Sequence, residues 1–131
     1  MCEKIMVVDD DPSVLALMEI MLTRKGFSVV SAGDAQHALI LLNQVTPDLF
    51  ILDVMMPGMN GIELCRELKS RADTARTPVL FLSAWSDSDL VKQVLKVGAD
   101  DCLQKTVMSS QVVIRVRSLL EQKSLRKALA C

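Results

Sequence analysis

Four acidic residues, one hydroxyl and one lysine stand at comparable places in this chain, each at or just past the end of a short apolar run. Asp9, Asp10 and Asp11 follow Lys4 to Val8 (KIMVV), and Asp53 closes the run Leu49-Phe50-Ile51-Leu52. Ser83 follows Pro78 to Leu82 (PVLFL), and Lys105 follows Asp101 to Gln104 (DCLQ). Carboxylates gathered at one place repel one another unless a cation lies between them. Magnesium suits such a set: it is a hard ion that takes a few carboxylates and keeps waters for exchange with phosphate oxygens. Calcium suits it less, because the chain has no dedicated oxygen-rich loop. A carboxylate beside such an ion can attack phosphorus and become an aspartyl phosphate, with the Lys105 ammonium and the Ser83 hydroxyl as donors to the transferring group. Taken singly, each residue has an ordinary explanation. Asp9 to Asp11 would cap and solvate a helix start, Ser83 would be a strand-end hydroxyl, and Lys105 a solvated surface lysine. Their joint placement carries the chemical reading.

That placement depends on the elements between them. A short apolar run bounded by turn formers reads as a strand buried on both faces, the kind found inside a parallel sheet. Five such runs are expected at Lys4–Val8, Phe27–Ser31, Leu49–Asp53, Pro78–Leu82 and about Asp101–Gln104. Helical spacing separates them. Val14, Leu15, Met18, Met21 and Leu22 follow Asp11 and Pro12, a cap and a first-turn proline, and Gly26 ends the segment. Asp34 caps a helix carrying Ala38, Leu39, Leu41 and Leu42. A loop containing Pro57, Gly58, Asn60 and Gly61 precedes a helix carrying Ile62, Leu64, Cys65 and Leu68, which dissolves between Ser70 and Thr77. A fourth helix starts at Ser86 or Asp87 and ends at Gly98, and the last starts near Ser109 or Ser110. Strands alternating with helices predict an α/β fold, a doubly wound parallel sheet with helices on both faces. In such a sheet the strand ends meet at the carboxyl edge, where open α/β folds place their ligands.

Composition agrees with a single domain over 1–131: 131 residues with 50% hydrophobic and 24% charged side chains are enough for one sizeable core. At 3% aromatic, that core must be built from Val, Leu, Ile, Met and Ala. A net charge of −1 gives no basic face for nucleic acid, and no stretch is long and clean enough to span a membrane. The scattered cysteines Cys2, Cys65, Cys102 and Cys131 include no CxxC pair, which points to a reducing, cytoplasmic setting without a disulfide framework or zinc site.

The segments VVDDDP, ILDVMMPGMNG, FLSA and GADDCLQK together resemble the receiver (REC) domain of two-component response regulators, and the likeness spans essentially the whole chain. The resemblance implies a five-stranded, flavodoxin-like sheet of order 2-1-3-4-5 with five helices. It implies Asp53 as phosphoacceptor, and Asp9 and Asp10 as the acidic pair, with Asp10 the more direct Mg²⁺ ligand. The Met55 backbone carbonyl would complete the protein's share of the metal shell. Ser83 becomes the switch hydroxyl, Lys105 the lysine on the phosphoryl group, and Ala84 the small residue leaving room beside it. The implied partner is a sensor histidine kinase or phosphotransfer protein, and the implied activity is only the domain's own phosphorylation and dephosphorylation. A true aspartyl-phosphate phosphatase would need a second acid two residues after the nucleophile, where this chain has Met55. A degenerate receiver acting as a constitutive interaction module is the alternative.

Two positions depart from the family. Cys102 stands where receivers carry an aromatic on strand five, so the relay through an inward-turning ring lacks its usual part. Thr106 follows Lys105 where proline is usual; a non-proline cis bond costs about 2.5–4 kcal/mol, so a trans bond is expected. Trp85 reads either as a partly buried loop aromatic or, together with Met55, as a shield of the acyl phosphate from water, and His37 reads as a surface or boundary residue. On the last helix, Val112, Val113, Val116, Leu119 and Leu120 form one stripe for the sheet, while Ile114, Leu125 and Leu129 fall on the opposite side. A second apolar stripe suits a homodimer or a downstream effector, with residues about 121–131 extending the helix toward it; the alternative is a frayed charged tail carrying Glu121, Lys123, Arg126 and Lys127.

Overall fold

In a computed structural model, which describes residues 3–84, 88–105 and 110–130 (backbone alone for 88 and 126–130), strands and helices alternate along the chain. They run β1 (Lys4–Val8), α1 (Pro12–Arg24), β2 (Ser28–Ala32), α2 (Ala35–Leu41), β3 (Leu49–Asp53), α3 (Gly61–Ser70), β4 (Val79–Ser83), α4 (Ser88–Lys96), β5 (Asp101–Gln104) and α5 (Ser110–Ala130). All strand pairings are parallel and the order is β2-β1-β3-β4-β5.

The side-chain alternation of a strand divides the core into two layers. Met6, Val8, Phe50, Leu52, Val79 and Phe81 point to the face covered by α2, α3 and α4. Ile5, Val7, Leu49, Ile51, Leu80 and Leu82 point to the face covered by α1 and α5. Both faces of β3 and β4 are therefore apolar, and a polar side chain is tolerated only at their carboxyl ends. Asp53 and Ser83 occupy those ends. The expected α5 stripe of Val112, Val113, Val116, Leu119 and Leu120 is buried, while Ile114 and Leu125 are 58% and 63% exposed.

The expected strands at Phe27–Ser31 and Pro78–Leu82 each lie one residue later. For the first, the cause is the helix stop. Gly26, at φ +92°, lets the Phe27 N–H return to the Leu22 carbonyl and its own N–H to Thr23, so Phe27 belongs to the end of α1. Gly98 ends α4 by the same device, with Ala99 bonded back to Val94. For the second, Pro78 has no N–H to give the ladder, and pairing begins at Val79. The third helix also starts earlier than expected. Asn60 is its cap and Gly61 its first residue, because the Asn60 side chain accepts the Glu63 N–H while the Glu63 carboxylate accepts the Asn60 N–H.

At the amino edge of the sheet, two aspartates hold neighbouring strands in register. Asp48 donates its N–H to the Lys4 carbonyl and accepts the Lys4 N–H on its carboxylate, locking β3 to β1. Asp100 does the same to Val79, locking β5 to β4. Each clamp sits immediately before the strand that delivers Asp53 or Lys105. Among the described residues, no helix is long and apolar enough to cross a membrane.

Candidate functional site

β1 and β3 are adjacent and parallel, with Val8 opposite Leu52, so the next residues, Asp9 and Asp53, come side by side at the carboxyl edge of the sheet. Ligand oxygens of Asp9, Asp10 and Asp53 all lie within 4.8 Å of one another. Asp9 and Asp53 are buried and Asp10 is exposed. Lys105, just past β5, reaches back across the edge: its Nζ is 2.9 Å from Asp9 Oδ2 and 3.2 Å from Asp53 Oδ1. The other Asp9 oxygen accepts the Asp11 N–H at 2.9 Å. Asp11 in turn caps α1, accepting the Ser13 N–H. The three consecutive acids thus have three separate placements: one turned inward to the lysine, one facing solvent and one capping a helix.

Burial pushes the Asp53 carboxyl up to about 6, and repulsion from Asp9 adds to it. Lys105 and the Met55 N–H both favour the ionised form without cancelling that rise. For Lys105, burial opposes the charge, but the hydrogen bond to Asp9 and the attraction of both carboxylates hold the ammonium above the usual lysine value. The site therefore contains more negative charge than one ammonium neutralises, on hard oxygen donors, one of them open to water. That is the donor chemistry of a small divalent cation site, and Asp9, Asp10 and Asp53 fit one.

The other expected site residues fall as follows. Ser83 is 1% exposed at the end of β4, one step beyond Leu82, which lies opposite Asp53 in the ladder. Ala84 after it is exposed. Met55 lies in the loop after β3 with an exposed side chain, and its backbone N–H points at the Asp53 carboxylate. Cys102 is half-buried beside Phe81 in the ladder, and burial followed by the neighbouring Asp101 charge raises its thiol pKa, so it behaves as a filler. Cys65 is fully buried, with its thiol near the Val97 carbonyl. His37 lies on the surface, in the first turn of α2, where its N–H is capped by Asp34. Trp85, Thr106 with the peptide bond before it, and the proposed helix starts at Ser86, Asp87 and Ser109 lie outside the described residues, as does the Leu129 side chain.

Sequence reasoning placed Gly61 in the loop and missed that it abuts the backbone of Asp53, and it passed over the clamps Asp48 and Asp100. The Asn60-x-x-Glu63 spacing was a visible signal for the first, since a capping box fixes where a helix begins. For the clamps no local signal exists, because they depend on which strands are neighbours.

Comparison with known proteins agrees with this geometry. The family model described as "Response regulator receiver domain" matches residues 5–117. The "DNA-binding response regulator MtrA" of Mycolicibacterium smegmatis is 42% identical over 122 residues, which cover 93% of this chain and 52% of that protein. This chain thus spans about half the length of that curated relative. Among solved structures, the BeF3-activated N-terminal receiver domain of RstA from Klebsiella pneumoniae superposes with a TM-score of 0.84 at 30% identity, covering 90% of this chain and 98% of that one. A CheY-like receiver domain protein from Methanospirillum hungatei, at 21% identity, shares the fold with a TM-score of 0.89 over 96% of this chain and 99% of its own.

Proposed function

The chain belongs to the response regulator receiver domain family, and from that membership we propose that it is a phosphoacceptor switch, taking a phosphoryl group on Asp53 from a phosphohistidine of a sensor kinase or phosphotransfer protein. The observation that carries this reading is the buried Asp53 carboxylate within reach of Asp9, Asp10 and the Lys105 ammonium. An Asp53 carboxylate oxygen attacks phosphorus, the bond from phosphorus to the donor nitrogen breaks, and the imidazole leaves with that electron pair. Asp9, Asp10, Asp53 and the Met55 carbonyl would hold Mg²⁺, which when bound supplies charge neutralisation for the phosphoryl oxygens. Lys105 donates to the transferring group, and the Ser83 hydroxyl, one residue further along β4 than the partner of Asp53, is the second donor. The domain acts only on its own carboxylate. Phosphorylation then shifts its conformational population.

The test uses Trp85 as reporter: Mg²⁺ is titrated first, then beryllofluoride or acetyl phosphate, in the parent and in Asp53→Ala. A fluorescence response in the parent that Asp53→Ala lacks is expected. A parent that binds neither reagent supports the second reading, a constitutive interaction module, which the small Cys102 in the family's aromatic position favours.

Residues 1–131 form the receiver, which works in the cytoplasm, and α5 carries its contact with a partner. Ile114 and Leu125 are apolar and exposed on the side of α5 turned from the sheet. A second copy or a downstream effector would cover them. Leu125→Glu is expected to abolish self-association in sedimentation equilibrium, and a strictly monomeric parent rules out the second copy.

A further inference from the structure

Gly61 touches the phosphoacceptor strand more closely than any side chain would allow. A Cβ built on it would lie 1.9 Å from the backbone oxygen of Asp53, 2.9 Å from its carbonyl carbon and 3.0 Å from Cε1 of Phe81. Real Cβ atoms essentially never approach other atoms within 3.0 Å. Even a methyl group would therefore force α3 and the end of β3 apart by about an ångström.

The surroundings decide which side gives way. α3 is held at its first turn by the reciprocal Asn60–Glu63 bonds and by the Gly61 N–H donating to the Val54 carbonyl at 3.0 Å. Behind that turn, Leu64, Cys65 and Leu68 are fully buried against the sheet. Phe81, on the other side, is fully buried in the centre of β4. Asp53 is the last residue of its strand, with the loop beyond it. Its carbonyl oxygen is the atom an added methyl would meet first, so the displacement falls there. Turning its carbonyl rotates the peptide linking it to Val54 and displaces the Met55 N–H that supports its carboxylate.

We propose that Gly61 is a positioning residue for Asp53: the absence of a side chain lets the first turn of α3 seat the Asp53 backbone, and that seat aims the carboxylate at Asp9, Asp10 and Lys105. The inference rests on the phosphoacceptor reading, and it adds a residue that touches neither metal nor phosphoryl group.

The test compares Gly61→Ala with Leu68→Ala, which destabilises the same helix through a cavity without approaching Asp53. Mg²⁺ affinity is measured by calorimetry, and phosphoryl uptake from acetyl phosphate is measured at a temperature where circular dichroism shows each variant folded. A displacement of about an ångström predicts a loss on the order of 100-fold in the uptake rate of Gly61→Ala, with weakened Mg²⁺ binding. Leu68→Ala should keep both parent values. A folded Gly61→Ala with parental rate and affinity overturns the proposal, and so does equal impairment of Leu68→Ala. Should Gly61→Ala fail to fold, Asn60→Ala decides, since it keeps the glycine but releases the cap that pins the turn. Weakened Mg²⁺ binding and slowed uptake support the seat, and unchanged values overturn it. A parent that binds Mg²⁺ but takes no phosphoryl group defeats the switch reading alone, and the Mg²⁺ affinities then decide the role of Gly61.

Discussion

Lys105→Met is expected to bind Mg²⁺ more tightly than the parent and yet take up phosphoryl groups far more slowly. The two effects have one origin. The Lys105 ammonium lies against Asp9 and Asp53, at 2.9 and 3.2 Å, so it holds carboxylates that a divalent ion would also use. Removing it removes a competitor for those oxygens. It also leaves two buried carboxylates without a cation, and loss of one partner from a buried pair costs about 3–5 kcal/mol in the general case. With Lys105 partly open to solvent, roughly 2–4 kcal/mol is expected here at pH 8. Millimolar Mg²⁺ should restore most of that loss, because binding to the folded state alone adds stability by mass action. The reaction cannot be rescued in the same way. In the proposed switch a preorganised donor to the transferring group is then gone, which costs on the order of 10²–10³-fold in rate. Calorimetric titration with Mg²⁺, thermal melts with and without the ion, and the rate of uptake from acetyl phosphate check the three parts. Weaker Mg²⁺ binding in Lys105→Met would show that the lysine does not compete for the site.

Most of the clustering at this sheet edge was legible because its residues are bound to the pattern of elements. Asp53 and Ser83 interrupt apolar runs that have no other place for a polar group, and the βα alternation alone puts those run ends at one edge. Lys105 could be placed by the same argument, although its contact with Asp9 and not only Asp53 could not. The Gly61 contact, by contrast, is a distance between a helix start and a strand end eight residues earlier, and a one-residue glycine in a turn-rich stretch looks like loop chemistry until the helix start is fixed. The carboxylate clamps Asp48 and Asp100 were illegible for a related reason. Each bonds to a strand 44 or 21 residues away, and nothing local separates them from a solvated acid before a strand. The two strands that lie one residue later than expected show a smaller version of the same limit. Hydropathy marked Phe27 and Pro78 as strand, while hydrogen bonding gave Phe27 to the stop of α1 and left Pro78 ahead of the first paired residue of β4.

Asp53→Asn should abolish phosphoryl uptake and, in the presence of a chelator, make the protein more stable than its parent at neutral pH. The sign follows from the raised pKa. An ordinary aspartate in the unfolded chain ionises near 3.8, whereas burial and then Asp9 hold the folded Asp53 carboxyl at about 6. Below the unfolded value both states are protonated, and this group contributes nothing against folding. As the pH rises through the interval between the two values, the unfolded chain loses the proton first, so the parent loses stability until the folded pKa is passed. The gap between those two values, which already includes the opposing pull of Lys105, corresponds to at most about 3 kcal/mol, and roughly 1–3 kcal/mol is expected. Asparagine keeps the shape and carries no charge, so it escapes the loss. Denaturant unfolding at pH 7.5 should therefore favour the variant, with the difference closing toward pH 4. Mg²⁺ should reverse the order at pH 7.5 by stabilising the parent, since the ion restores the charge balance that Asp53 lacks in its absence. A parent that is more stable than Asp53→Asn at pH 7.5 without metal would mean that the Lys105 contact outweighs burial. In that case the resting site would be a satisfied ion cluster and not one held under charge strain for a cation to relieve.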